Sequence, residues 1–340
     1  MIREAIAALA DGRRPTRAEA CAVMLEIMSG DATPAQIAAY ITALRIRGET
    51  ADVIAGSAEA MRRKFTAVDA GGGIVADTCG TGGDGAHTFN ISTCAAFVAA
   101  GAGVKIAKHG NRSVSSQCGS ADVLAALGVN LAAGADVMAR CLREIGIAFL
   151  FAPALHPAMK FAIGPRREIG IRSIFNILGP LSNPAGAQYG VLGVYAAALV
   201  PVLARAAAEL GAQHLFVVHG RDGLDEITTT APTLVAEVVA GAVREYELEP
   251  RDLGLPRCAP ADLAGGDAAA NAALVRGVLA GEPGPRRDIV LLNAAAVLVA
   301  GQQARDLQEG LAAAAAAVAS GAARRKLEAL VALTRAAAGG

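Results

Sequence analysis

The chain lacks an excess of either charge. Its 31 Lys and Arg stand against 31 Asp and Glu, for a formal net charge of zero over 340 residues. A nucleic-acid partner would call for a basic surface, so none is expected. Cysteine is sparse, and the six present (Cys21, Cys79, Cys94, Cys118, Cys141, Cys258) never fall at C-x-x-C spacing. Neither a zinc site nor a disulfide framework is signalled. Long hydrophobic runs are missing too. The longest apolar stretch, residues 189–204, is shorter than a membrane span and is broken by Gly190, Gly193 and Pro201. No basic start followed by a long apolar core opens the chain, so no export signal is read. A cytoplasmic enzyme of roughly two domains, without a membrane partner, is the expectation.

What is present is concentrated in four segments. Residues 77–93 read DTCGTGGDGAHTFNIST, with glycines at 80, 82, 83 and 85. An apolar run (Ile74, Val75, Ala76) precedes them and an Ala-rich helical stretch follows. A strand, a glycine loop and a helix N-terminus suit a phosphate or pyrophosphate, because several N–H groups converge and the helix dipole adds to them. Gly80, Gly82 and Gly85 spell G-x-G-x-x-G, yet a dinucleotide site would want an acidic residue after the next strand. That strand, 104–107, ends instead in Lys108 and His109. The P-loop alternative fails as well, since no Gly-Lys-Ser/Thr closes the loop.

The second segment, 108–122, reads KHGNRSVSSQCGSAD and is expected to be a loop following that strand. It holds Lys108, His109 and Arg112, the hydroxyls of Ser113, Ser115, Ser116 and Ser120, and the amide of Asn111. Two such loops after adjacent parallel strands would share one rim of a sheet, where ligands bind. In the third segment, Arg166 and Arg167 follow Pro165, which suggests a kinked chain presenting Arg166 from a helix start. A guanidinium fork recognises a carboxylate. The fourth segment, HGRDGLDEI at 219–227, puts Asp225 and Glu226 beside glycines after a strand. Adjacent carboxylates there fit magnesium, which takes oxygen ligands and substrate phosphates.

The rest of the chain sorts by pattern. Residues 1 to about 66 read as helical, with capping signatures at Thr16/Glu19 and at Thr33-Pro34/Gln36. Three glycines at 71–73 mark a boundary. Strands are expected at 74–79, 104–107, 147–151, 189–195 and 214–218, alternating with helices in a largely parallel sheet. A hairpin about Ala240-Gly241 within 234–248 edges it. Residues 271–280, 288–299 and 304–336 are helical. The fold class is therefore α/β: a small all-helical N-terminal domain plus a large domain with a mostly parallel central sheet flanked by helices.

Together these segments resemble the anthranilate phosphoribosyltransferase family. The chain carries GTGGD…TFNIST (80–93), KHGNRxVSS (108–116), GSADVLxALG (119–128), HPAM (156–159), RxIFNxLGPL (172–181) and HGxDGLDE (219–226). The likeness covers about residues 15–335. It departs at Gln117 and Cys118, where many relatives have Lys and Ser, and at Gly164-Pro165, which replace Pro-Val. The resemblance implies transfer of a phosphoribosyl group from 5-phosphoribosyl-1-pyrophosphate (PRPP) to the amine of anthranilate, with Mg2+. It implies PRPP contacts from Gly80, Gly83, Asp84, Thr88, Asn90, Ile91, Ser92 and Thr93 on the first loop. From the second it implies Lys108, His109, Gly110, Asn111, Arg112, Ser113, Val114, Ser115, Ser116 and Ser120. Anthranilate would meet Gly80, Asn111 and Arg166, and the metal would meet Ser92, Asp225 and Glu226. No residue is assigned with certainty to catalysis; His109 and Asn111 are orienting candidates. The resemblance also implies that about 170–185 returns to the small domain (1–70), which forms a homodimer, while 71–169 and 186–340 form the large domain. A pyrimidine-nucleoside phosphorylase and a non-enzymatic nucleic-acid-binding relative are the rival readings.

Overall fold

The computed structural model describes residues 1–113 and 117–336. Four helices come first: α1 (Ile2–Ala10), α2 (Arg17–Ser29), α3 (Pro34–Arg47) and α4 (Ala51–Arg62). Their starts follow from the caps. Thr16 accepts from the Glu19 N–H at 3.3 Å while the Glu19 carboxylate accepts from the Thr16 N–H at 2.8 Å. Thr33 and Gln36 repeat this reciprocal pair around Pro34, whose fixed φ suits a first helical position.

The chain then alternates: β1 (Val75–Asp77), α5 (Ile91–Gly101), β2 (Lys105–Gly110), α6 (Ser120–Leu127), α7 (Ala135–Glu144) and β3 (Ile147–Phe151). Short α8 (Ala152–Leu155), α9 (Lys160–Ile169) and α10 (Phe175–Leu178) precede β4 (Tyr189–Gly193), α11 (Leu199–Glu209) and β5 (His214–Gly220). The hairpin β6 (Thr233–Val239) and β7 (Ala242–Leu248) follows, and α12 (Ala268–Leu279), α13 (Pro285–Ala300), α14 (Leu307–Ala319) and α15 (Ala322–Ala336) complete the fold.

The seven strands lie in the order β3-β2-β1-β4-β5-β6-β7. The first five are parallel, and the hairpin is antiparallel at one edge, as the sequence suggests. Its turn uses Ala240 at φ 48° and Gly241 at φ 86°, the twist that a two-residue hairpin favours. The chain leaves β1 for β2 on one side and later returns to β4 on the other. The crevice outside the C-terminal ends of β1 and β4 is therefore the topological switch point, where such sheets bind ligands.

Strand β2 is longer than expected, while β1 and β4 are shorter. β2 extends through Gly110 because it pairs with β3 from Ile106↔Ile147 to Gly110↔Phe151. Lys108 and His109 are thus buried strand residues, not the opening of a loop.

Two apolar cores form. One packs the flanking helices on β1–β3 and includes Phe97, Ile106, Phe149 and Leu298. The other joins α1–α4 to α11 and to the opposite faces of β4–β6 through Met24, Tyr40, Leu203 and Val217. Ile174, Phe175, Ile177, Leu178 and Leu181 pack in this second core with the N-terminal helices.

Candidate active site

The glycine loop leaves β1 at the switch point. Gly82, Gly83 and Gly85 sit at φ 64°, 79° and 77°, which L side chains rarely adopt. Gly80 is needed for space: a Cβ there would stand 2.7 Å from Asp225 Oδ2. Gly193, ending β4, is tighter still, with a Cβ position 1.6 Å from the Asp225 carbonyl oxygen. The loop is pinned at two amides, Thr81 N–H donating to Gly193 O at 2.8 Å and Gly82 N–H to Asp225 Oδ2 at 2.7 Å. Among the described residues no acceptor is bonded to the N–H of Gly80, Gly83 or Asp84. From the segment between α9 and α10, Arg172 bonds the Gly83 carbonyl and stacks 4.3 Å over Tyr195.

The acidic pair meets this loop. Asp225, Glu226, Ser92 and Gly80 line one small cavity. Glu226 Oε1 accepts from the Ser92 N–H at 3.2 Å, in the first turn of α5. Lys108 reaches in from β2, 3.4 Å from Ser92 Oγ and 3.0 Å from Thr78 Oγ1. Burial pushes the Asp225 carboxyl up, and neighbouring Asp84 adds to the shift. Burial and the Asp225 charge push Glu226 up, beyond what Lys108 offsets. Two crowded carboxylates with a hydroxyl beside them are only partly compensated by Lys108, and their oxygens are those a hard divalent cation takes. The donor set therefore fits magnesium.

Asp77, Cys79 and His109 also bring ligand-type atoms within 4.8 Å of one another. Their electron pairs are spent elsewhere. Asp77 accepts from Thr78 N–H at 2.7 Å, His109 N–H at 3.0 Å and Asn183 Nδ2 at 2.7 Å. Burial keeps the Cys79 thiol protonated. His109 Nδ1 lies 3.1 Å from the Gly179 carbonyl and must donate to it, so His109 Nε2 accepts from His156 Nε2 at 3.1 Å. Burial pushes His109 down to about 3 and His156 down to about 4. Burial favours the neutral form of both rings, and His109 ties β2 to Gly179 and His156.

Other expected residues take less direct places. Asn90 turns away from the loop: its Nδ2 donates to Cys118 O at 3.2 Å and its Oδ1 accepts from Asn271 Nδ2 at 3.0 Å. Ile91 and Thr93 are buried in the first turn of α5, and Thr88 bridges to Ala264. Asn111 is exposed, its Oδ1 accepting from the Arg112 N–H at 2.7 Å. Arg112 pairs with Asp122 at 2.8 Å, and that carboxylate also accepts from Ser113 and Gly119 N–H. Ser120 opens α6 and donates to Asn111 O at 3.2 Å. Val114, Ser115 and Ser116 lie outside the described residues.

Arg166 corrects the sequence reading. It stands in the last turn of α9, not at a helix start, because the helix runs through Pro165. Proline's fixed φ is already helical, so the ring costs an N–H···O bond without ending the helix. The guanidinium lies 5.2 Å over Phe175, half-buried, and among the described residues no carboxylate pairs with it.

Sequence reasoning missed Asp77, Asp122, Asn183, Asn271 and Asn293. Asn271 and Asn293 are lone polar residues in apolar helical runs, while Asp77, Asp122 and Asn183 stand among other polar residues that drew the reading. The available signal was that a buried amide or carboxylate needs partners.

A glycine loop, an acidic pair and a buried lysine at the switch point define a transferase for a phosphorylated sugar. The comparisons agree. Residues 72–324 match the family described as the a/b domain of a glycosyl transferase family, and residues 3–65 match its helical bundle domain. The chain is 59% identical to an anthranilate phosphoribosyltransferase of Anaeromyxobacter sp. (strain K), over 98% of this chain and 99% of that one. One from Chloroflexus aggregans is also 59% identical, with 98% of each covered. The crystal structure of the Thermus thermophilus enzyme superposes with TM-score 0.93 at 42% identity, covering 97% of this chain and 99% of that one. A Saccharomyces cerevisiae enzyme solved with PRPP and Mg gives TM-score 0.90 at 30% identity, covering 98% of each. The chain belongs to the anthranilate phosphoribosyltransferase family.

Proposed function

We infer that the protein transfers the 5-phosphoribosyl group of PRPP to the amine of anthranilate, giving N-(5-phosphoribosyl)anthranilate and pyrophosphate. This is the second step of tryptophan biosynthesis from chorismate. The observation that carries it is the meeting of the glycine loop, Lys108 and the Asp225–Glu226 pair at the switch point. The anthranilate nitrogen bonds to C1 of the ribose, the C1–O bond breaks, pyrophosphate leaves with the electron pair and the nitrogen loses a proton. Ring oxygen donation makes the transition state resemble an oxocarbenium ion, so charge on the leaving group is the main obstacle.

The unbonded N–H groups of Gly80, Gly83 and Asp84, with Lys108, hold the pyrophosphate. Ser92, Asp225 and Glu226 would hold Mg2+, which supplies neutralisation of leaving-group charge when bound. Asn111 orients the amine, and Arg166 pairs with the anthranilate carboxylate. An aromatic amine is already neutral at pH 7, so the neutral His109 does not have to act as a base. Residues 1–70 with about 170–185 form the small domain, and 71–169 with 186–340 the large one. The small domain builds a homodimer of a cytoplasmic enzyme.

The test mixes the protein with PRPP, Mg2+ and anthranilate and follows anthranilate fluorescence, which should disappear with turnover. Parallel reactions with thymidine or uridine plus phosphate should stay silent. Consumption of nucleoside without consumption of anthranilate would reverse the assignment.

A further inference from the structure

Asn293 sits within α13, in the apolar run IVLLNAAAVLVA, and is 2% exposed. A polar side chain there must be paired, and this one is paired with unusual direction. Its Oδ1 accepts from the Ile227 N–H at 3.0 Å. Its Nδ2 donates to the Ile227 carbonyl at 2.8 Å and to the Ile289 carbonyl of its own helix at 2.9 Å. The amide therefore holds both backbone groups of the residue that directly follows Glu226. It also lines the cavity that Asp225 and Glu226 share.

The carboxylates themselves are tied at one oxygen each, Asp225 Oδ2 to the Gly82 N–H at 2.7 Å and Glu226 Oε1 to the Ser92 N–H at 3.2 Å, and the bonds just upstream run within the loop or to β5. Asp222 accepts from Leu224 N–H at 3.2 Å and from the Thr228 hydroxyl at 2.7 Å, and Gly220 N–H donates to Leu224 O at 2.8 Å. Those bonds shape the loop upstream of Asp225. Asn293 fixes it downstream, against a helix of the main core. The two carboxylates lie between the two anchors. Two carboxylates that each accept from a single amide still repel each other, and holding the backbone on both sides adds to those bonds.

We propose that Asn293 is a positioning residue for the metal site: by clamping Ile227 it keeps the Glu226 and Asp225 carboxylates convergent before any ligand arrives. The inference rests on the reading of that pair as magnesium ligands. Groups that orient metal ligands tune affinity without touching the ion.

The test is PRPP binding measured by calorimetry, without anthranilate and so without turnover, across a Mg2+ titration. Asn293→Ala removes the clamp. Asn293→Asp keeps the volume and the acceptor for Ile227 N–H but sets a carboxylate oxygen against the Ile227 carbonyl. In both, the Mg2+ midpoint should rise about 10-fold, with the anthranilate KM at saturating Mg2+ unchanged. A residue that only supports folding would lower the melting temperature and leave the midpoint of the folded fraction where it was, and that result would overturn the proposal. Hydrogen exchange on the native protein gives a check free of variants. The Ile227 amide should be protected like β5 before Mg2+ or PRPP is added, and rapid exchange there would sink the clamp. Asp225→Asn with Glu226→Gln separates the two ideas. If this double variant keeps the native Mg2+ curve, the metal-site reading fails and the proposal with it. If it loses the Mg2+ response while the Asn293 variants keep the native midpoint, the metal site stands and only the clamp fails.

Discussion

Two single positions show how a residue type is fixed by different physics. Gly83 looks from the sequence like a position of close backbone approach. In the structure a Cβ there would meet only the Arg172 guanidinium, at an ordinary 3.5 Å. Glycine is required because φ is 79°, where an L residue costs roughly 1–2 kcal/mol and a β-branched one more. Gly83→Val should therefore fold but turn the Gly83 and Asp84 amides away from their ligand. Calorimetry should find PRPP affinity lost with the melting temperature nearly kept; native affinity would show that these amides are not used. Arg166 is the converse, a half-buried guanidinium with an aromatic face beneath it and no carboxylate of its own among the described residues. Arg166→Ala should raise the anthranilate KM, by as much as about 2–5 kcal/mol of lost pairing, and leave the PRPP KM nearly unchanged. Aniline, which lacks the carboxylate, should be a poor substrate of the native enzyme; equal rates with aniline and anthranilate would remove this role from Arg166.

At the scale of elements, much was legible because local pattern and tertiary place agree. The capping boxes of α2 and α3, the parallel strands and the edge hairpin all follow from residues within a few positions of one another. What was not legible depended on long-range pairing. The extra length of β2 comes from its ladder to β3, and no local signal at Lys108 or His109 announces it. Asn90 carries a phosphate-loop motif, yet its side chain faces Asn271, 181 residues away. The His109–His156 bond likewise joins β2 to the turn after α8. This contact predicts an acid sensitivity with a definite sign. Burial lowers His156 to about 4 from 6.5, so below pH 6.5 the unfolded chain binds a proton that the folded one refuses. Stability from this group is complete above pH 6.5 and falls as pH drops toward 4. Buried carboxyls such as Asp77, raised to about 6, bend the total curve the other way, so the clean measurement is a difference. His156→Gln, able to donate to His109, should flatten the fall between pH 6.5 and 4 by about one proton in urea unfolding. Parallel curves for the two proteins would mean that His156 is already protonated in the native state.

The whole molecule distributes its exposed apolar surface unevenly. Met1, Ile46, Ile163 and Ile171 are 59%, 77%, 47% and 47% exposed, and all belong to the N-terminal helices or to the stretch from α9 to α10 that packs with them. The large α/β part shows Val239 and Val243 on its hairpin, where charged Arg244, Glu245 and Glu247 discourage further strand pairing. Scattered exposed apolar residues are ordinary, so these positions carry weight only as places to test the proposed homodimer. Ile46 is the sharpest probe. It lies in the last turn of α3 beside Arg45 and Arg47, and its own side chain supports no core. Ile46→Glu should leave the monomer fold intact, since an exposed substitution changes stability by about 0.5 kcal/mol or less. If the small domain builds the dimer, sedimentation equilibrium should show the native 34.1 kDa chain as a dimer and the variant shifted toward monomer. The described candidate-site residues come from β1, β2, β4, β5, α5 and α9 and their loops in one chain. The monomeric variant should therefore still consume anthranilate, with loss appearing first in thermal stability. Native protein sedimenting as a monomer would dismiss the dimer outright. A variant that stays dimeric would move the interface away from α3, and one that becomes monomeric and inactive would mean the site needs its partner.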